Sequence, residues 1–147
     1  NTFNNVNLPL IIAGSGPEKK RLIKMVTGKN IKFVSPGEND AELRKLYSGA
    51  KALIFPQVED FGLVAVEAIA CGAPVIAYRG GGAKEIVTEE KSGIFFNHQR
   101  VDDLIPTILR FNRMKFSPST IKRYAKKFSV DEFKKKFLSL IGNHLNI

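Results

Sequence analysis

Phe55-Pro-Gln-Val-Glu59-Asp60-Phe61-Gly62-Leu63-Val64-Ala65-Val66-Glu67-Ala68 is the stretch from which the architecture can be worked out. An apolar run ends at Phe55, a short loop carries Glu59, and a longer apolar run begins after Gly62. Strand, loop and helix in that order form one step of a βα fold. The helix is predicted to begin near Gly62 or Leu63, with Glu67 about one turn in. Two carboxylates therefore flank a helix N-terminus at the C-terminal edge of a sheet, where open α/β folds bind ligands.

The same alternation extends in both directions, from residue 8 to about residue 111. Leu8–Ala13, Ile31–Val34, Ala52–Phe55 and Pro74–Tyr78 are short and mostly apolar, as expected of strands covered by helices on both faces. Gly93–Phe96 is a fifth candidate. Gly14-Ser-Gly16-Pro17-Glu18 is predicted to turn the chain into a helix with Pro17 at its first position. Asn39-Asp-Ala-Glu42 has capping-box spacing and predicts a helix to Tyr47. Val101, Leu104, Ile105, Ile108 and Leu109 form an apolar stripe at helical spacing over 101–111. Ser117-Pro118 and the capping box Ser129-Val-Asp-Glu132 open helices predicted near 118–127 and 130–142. The fold class is α/β: a Rossmann-like parallel sheet sandwiched by helices, with C-terminal helices. The 147 residues are read as one domain, with 112–147 as a helical cap of that domain.

Composition narrows the partners. The chain is 44% apolar and 25% charged, which suits a folded domain rather than a disordered tail. Its formal net charge of +9 favours anionic partners. Cys71 is the single cysteine, so an internal disulfide and a cysteine-built zinc site are excluded, and a reducing compartment fits. Leu63–Tyr78 is the most apolar stretch, but Glu67, Gly72 and Pro74 interrupt it, so no bilayer span is predicted. Asn1–Asn7 is polar and uncharged, unlike a signal peptide. The absence of an initiator Met suggests a piece of something longer.

Two carboxylates would repel a phosphate, unless they accept hydrogen bonds from hydroxyls while the N–H groups of Gly62, Leu63 and Val64 meet the anion. A nucleoside diphosphate sugar has this pattern of diol, phosphate, diol. The alternative is that Glu67 only complements the helix dipole and Glu59 is a solvated loop residue. Gly14-Ser-Gly16 could offer backbone N–H groups to a phosphate, but position 19 is Lys19, so the dinucleotide fingerprint is incomplete, and no P-loop occurs. Gly80-Gly-Gly82 allows close backbone approach to a ligand at the same edge. Lys84 could neutralise a diphosphate or be a surface lysine. His98 and His144 belong to no triad or metal set, and Cys71 reads as a small buried hydrophobe.

The residues resemble a known family. Glu59-Asp-Phe-Gly-Leu-Val-Ala-Val-Glu67-Ala, followed by Ala70-Cys-Gly-Ala-Pro-Val-Ile-Ala77 and Gly80-Gly-Gly-Ala-Lys-Glu85, resembles the retaining GT-B glycosyltransferases of group 1 (GT4). Upstream, Ile11-Ile-Ala-Gly-Ser-Gly-Pro17, Ile31-Lys-Phe-Val34 and Leu46-Tyr-Ser-Gly-Ala-Lys-Ala-Leu-Ile-Phe-Pro56 occur in the family's order. The likeness covers about residues 8–100. The Glu-Asp-Phe-Gly variant looks most like the WbaZ-type mannosyltransferases of surface polysaccharide assembly, although Ala65 stands where those sequences commonly have proline.

The resemblance implies a C-terminal nucleotide-sugar-binding domain. Glu67 would hold ribose hydroxyls, and Glu59 would hold hydroxyls of the hexose and stabilise positive charge on its ring. Gly14, Gly16, Val34, Phe61, Gly62, Leu63 and Val64 would complete the donor site, with Val34-Ser-Pro-Gly37 near the base. It further implies transfer with retention, GDP-mannose as favoured donor, a glycan or lipid-linked acceptor, no cofactor, no metal ion, and a cytoplasmic place of work compatible with membrane contact. The family's Arg and Lys pair that grips the diphosphate, and its acceptor domain, belong upstream of Asn1, so this piece alone is expected to bind weakly and not to turn over. One rival is a sugar-nucleotide epimerase or phosphorylase on the same scaffold. Another is a non-catalytic module binding nucleic acid or a membrane through the basic helices; Phe128, Phe133 and Phe137 there are spaced like core positions, which disfavours nucleic acid as a partner.

Overall fold

In the computed structural model, residues 2–37 and 39–145 are described, with side chains to Gly142. Five short parallel strands alternate with helices: α1 Thr2–Asn5, β1 Leu10–Ala13, α2 Lys19–Lys24, β2 Ile31–Val34, α3 Asp40–Gly49, β3 Leu53–Phe55, α4 Leu63–Cys71, β4 Val75–Tyr78, α5 Ala83–Ile86, β5 Gly93–Phe96 and α6 Val101–Phe111. The chain then runs through α7 Pro118–Ala125, a 3-10 turn Lys126–Phe128 and α8 Val130–Leu145. All the predicted strands form, and all pairings between them are parallel.

The single sheet expected from the alternation is divided. Among the described residues β1 pairs only with β2, and β3-β4-β5 form a separate three-stranded sheet. The core sits on the second sheet, where β4 and β5 are buried almost throughout. Phe55, Ala65, Ala68, Ile69, Val75 and Ile121 form one apolar cluster between that sheet and the helices α4 and α7. Ile76, Ile94, Phe96, Leu104, Ile108 and Phe111 form the cluster on the other face, against α6. Burying each Val, Leu, Ile or Phe side chain among them is worth about 1.5–3 kcal/mol.

The capping residues act as their chemistry requires. Asn39 accepts hydrogen bonds from the N–H groups of Ala41 and Glu42, fixing the start of α3. Ser129 accepts from the N–H of Glu132 at 3.3 Å at the start of α8. Pro118 begins α7, where its missing N–H costs nothing.

Other local expectations need correction. Pro17 lies in a turn, and α2 starts only at Lys19, with Glu18 as an uncapped flanking residue. The buried stripe of α6 is Leu104, Thr107, Ile108 and Phe111, while Leu109 is half exposed because it lies to the side of that face. Phe133 and Phe137 are not core residues. They are 65% and 51% exposed and stack on one another at 5.8 Å, because α8 packs mainly on the 3-10 turn and leaves the helical body. Phe128 is half-buried and meets Phe61 edge to face at 6.0 Å.

Candidate functional site

The site is assembled from loops that leave the carboxyl ends of paired parallel strands. Residues 56–62 follow β3, and Arg79–Gly82 follow the adjacent β4, so topology sets the acid loop beside the glycine loop. The glycines serve that contact. Gly82 N–H donates to the carbonyl of Glu59 at 2.8 Å, and a Cβ on Gly82 would overlap the carbonyl of Phe61. The close backbone approach at Gly81 and Gly82 is therefore to residues 59–61 of the neighbouring loop. Its effect is to hold the backbone of Glu59.

Gly62 is buried in the left-handed region, at φ 90° and ψ 48°, and turns the chain into α4. A β-carbon there would also press on Ile86 and Phe55 at 3.2 and 3.4 Å. No described hydrogen bond occupies the N–H groups of Gly62, Leu63 or Val64, as the first turn of a helix dictates. Together with the aligned peptide dipoles, they make the entry to α4 attractive to an anion. Leu63 and Val64 expose their side chains at this entry, and so does Phe61.

Glu67 lies in the second turn of α4 and lines a cavity of about 710 Å³ together with Tyr47, Pro56, Gln57 and Val64. Its Oε2 accepts a hydrogen bond from the Tyr47 hydroxyl at 3.0 Å. Burial first, then the bond to Glu67 and its charge, push the Tyr47 phenol well above its ordinary pKa, so Tyr47 remains a donor. Glu59 is half-buried and does not line this cavity; its Oε1 accepts from Gln57 Nε2 at 2.8 Å. Gln57, the partner of Glu59, lines the cavity that Glu67 lines.

The glycine turn lies at the other sheet. Gly14, at φ 140°, donates from its N–H to the carbonyl of Val34 at 3.0 Å and lines a second cavity of about 380 Å³ with Ser15, Ser35, Pro36 and Gly37. Lys19 Nζ donates to Ser35 Oγ at 2.7 Å and places a cation beside it. Gly16 is exposed and accepts from Lys19 N–H. Gly14 and the 35–37 turn are brought together; Glu59 and Phe61 belong to the separate loop after β3.

No described side-chain hydrogen bond joins the remaining candidates to Glu59 or Glu67. Lys84 is exposed. Cys71 is only half-buried. His98 Nδ1 lies 3.3 Å from Asp103 Oδ2. That carboxylate accepts the N–H groups of His98 and Asn97, which hold its pKa below the usual range. The side chain of His144 lies outside the described residues. Among the described residues, no group of three or more His, Cys, Asp or Glu is placed to hold a metal ion, and no helix is long and apolar enough to cross a membrane. Tyr47 as the partner of Glu67 could not be assigned from spacing, because 20 residues separate the two.

The sequence profile of "Glycosyl transferases group 1" matches residues 2–128. The sulfoquinovosyl transferase SQD2 of Arabidopsis thaliana is 36% identical over 96 residues, which are 63% of this chain and 19% of that protein. A GDP-mannose-dependent alpha-(1-6)-phosphatidylinositol dimannoside mannosyltransferase of Mycobacterium tuberculosis is 35% identical over 86 residues, 58% of this chain and 23% of that one. Among solved structures, a sucrose-phosphate synthase of Thermosynechococcus elongatus superposes with a TM-score of 0.75 at 25% identity, over 99% of this chain and 41% of that one. The chain thus spans about a fifth to two fifths of the length of these proteins.

Proposed function

The chain belongs to the group 1 glycosyl transferases, and from that membership we propose that it is the donor-binding part of a retaining glycosyltransferase. The transferred sugar is a hexose, mannose by preference, carried by a nucleoside diphosphate and passed to a glycan or lipid-linked acceptor in surface polysaccharide assembly. The observation that carries the proposal is Glu67: a carboxylate held by Tyr47, lining a cavity beside unoccupied N–H groups at the start of α4. The mannosyltransferase relative supports mannose as the sugar and GDP as the carrier. The Glu-Asp-Phe-Gly variant supports the WbaZ-like subgroup.

In this proposal Glu67 accepts hydrogen bonds from the ribose hydroxyls, while the amides of Gly62, Leu63 and Val64 meet the diphosphate. Glu59 accepts from hexose hydroxyls and stabilises the positive charge that develops on the ring. Phe61 borders the sugar, and Gly14, Gly16, Val34 and the 35–37 turn take the base. The acceptor oxygen attacks the anomeric carbon on the face from which the diphosphate leaves, and its proton passes to a departing phosphate oxygen. No divalent metal or cofactor is needed. Residues 1–147 act as one domain capped by 112–147. Its place of work is the cytoplasm, where exposed Lys134, Lys135 and Lys136 would attract acidic headgroups.

The test is calorimetric titration of GDP-mannose, GDP, UDP and a DNA duplex into the polypeptide extended by its native upstream sequence. Nucleotide-sugar binding that falls about tenfold, ~1.4 kcal/mol, in Glu67→Ala supports the proposal. Salt-sensitive DNA binding without nucleotide-sugar binding overturns it.

A further inference from the structure

In the sheet β3-β4-β5, β4 lies between the other two strands. The loop after β5 nevertheless reaches the loop after β3: Gln99 Nε2 donates to the carbonyl of Pro56 at 2.6 Å, across 43 residues of sequence. This bond ties the two outer loops together past the end of β4.

Both ends of the clasp are fixed. Asp103, in the first turn of α6, accepts the N–H groups of Asn97 and His98. Arg100 N–H donates to the carbonyl of His98 at 2.7 Å, closing a three-residue turn with Gln99 at its centre. Gln99 is thus presented by backbone held on either side of it. At the other end, Pro56 follows the last residue of β3. A peptide unit is planar, so the plane that holds the Pro56 oxygen also holds the nitrogen and Cα of Gln57. A grip on that oxygen sets the direction in which the Gln57 side chain leaves the backbone. Gln57 Nε2 in turn donates to Glu59 Oε1 at 2.8 Å, while Gly82 N–H holds the Glu59 carbonyl, also at 2.8 Å. Backbone and carboxylate of Glu59 therefore have separate supports.

We propose that Gln99 is a positioning residue for the Glu59 carboxylate, acting through the Pro56 carbonyl and the Gln57 amide, and that it serves recognition of the hexose and not of the nucleotide. It rests on the proposed function, in which Glu59 accepts from hexose hydroxyls and Glu67 from those of ribose. With Oε1 engaged by Gln57, the other Glu59 oxygen faces the sugar in one orientation. A carboxylate that loses this hold spends less time where the hexose needs it. Glu67 has its own support in Tyr47, from α3, so the nucleotide is bound by groups outside the clasp.

Calorimetry of GDP and of GDP-mannose on the polypeptide carrying its native upstream sequence tests this, read as the ratio of the two affinities. Gln99→Glu keeps the shape of the side chain and loses the N–H donor; Gln99→Leu loses the donor without adding a charge. In both, the affinity for GDP-mannose relative to GDP should fall about three- to tenfold, the worth of one hydrogen bond, while the affinity for GDP itself stays within about twofold of wild type. In a Gln57→Ala background, Gln99→Glu should lower the ratio by less than about twofold, because the path to Glu59 is already cut. A ratio that Glu59→Ala lowers and neither Gln99 variant changes overturns this proposal alone. Equal losses for GDP and GDP-mannose also overturn it, since Gln99 then only supports the fold. So does a full effect of Gln99→Glu in the Gln57→Ala background. A ratio unchanged in Glu59→Ala overturns the assignment of Glu59 to the hexose, and this proposal with it.

Discussion

Tyr47 donates its phenolic hydrogen to Glu67 at 3.0 Å, linking α3 to α4 at the wall of the cavity. One oxygen of the carboxylate is thereby held, and the other remains available to accept from a ligand. Tyr47→Phe removes the hold and keeps the ring. Nucleotide affinity should fall about three- to tenfold, the worth of one hydrogen bond to a charged partner partly open to water. Calorimetry on the variant checks this; unchanged affinity would show that Glu67 needs no positioning.

The same pair predicts an alkaline limit. The phenol's pKa is raised in the folded state above its ordinary value of 10.0, so the unfolded chain loses this proton first as pH rises. The stabilisation is fully present below about pH 10 and is lost above it. Denaturant titrations from pH 8 to 11 should show a steeper decline for the wild type than for Tyr47→Phe.

Asp103 predicts the acid side. Its folded pKa is depressed, chiefly by the N–H of His98 and also by that of Asn97. Stability is therefore present above the ordinary aspartate pKa and is lost as pH falls through the lower folded value. Asp103→Asn should flatten the stability profile between about pH 5 and 2, the range of ordinary and shifted carboxylates. An unchanged slope would mean that the loop 97–98 is held by other contacts.

Gly62→Ala should be costly for two separate reasons. Its φ of 90° suits glycine, and the new methyl would meet Ile86 and Phe55. A loss of about 1–3 kcal/mol is expected, seen as a fall in Tm of about 3–10 °C. A Tm within a degree of wild type would show that the turn relaxes freely.

The architecture was legible where a local rule sufficed. Asn39 and Ser129 cap the helices that their spacing predicts, and β4 and β5 are buried as continuous apolar strands should be. Glu67 was legible as a helix residue near the sheet edge, but its link to Tyr47 was not, since that contact depends on how α3 packs against α4. Gly81 and Gly82 carried a correct signal of close approach with the wrong object, because spacing says nothing of which loop lies opposite. Phe133 and Phe137 have core spacing on α8 and remain exposed. Periodicity reports that a helix has an apolar face, and what covers that face is a tertiary fact.

Glu67 and the first amides of α4 are proposed to grip a nucleotide sugar together. The amide resonances of Gly62, Leu63 and Val64 are to be followed while GDP-mannose is added to wild type and to Glu67→Ala. These three should move in the wild type at a concentration at least about tenfold lower than in the variant. Resonances that stay still while GDP-mannose binds, or that move alike in both proteins, would contradict it.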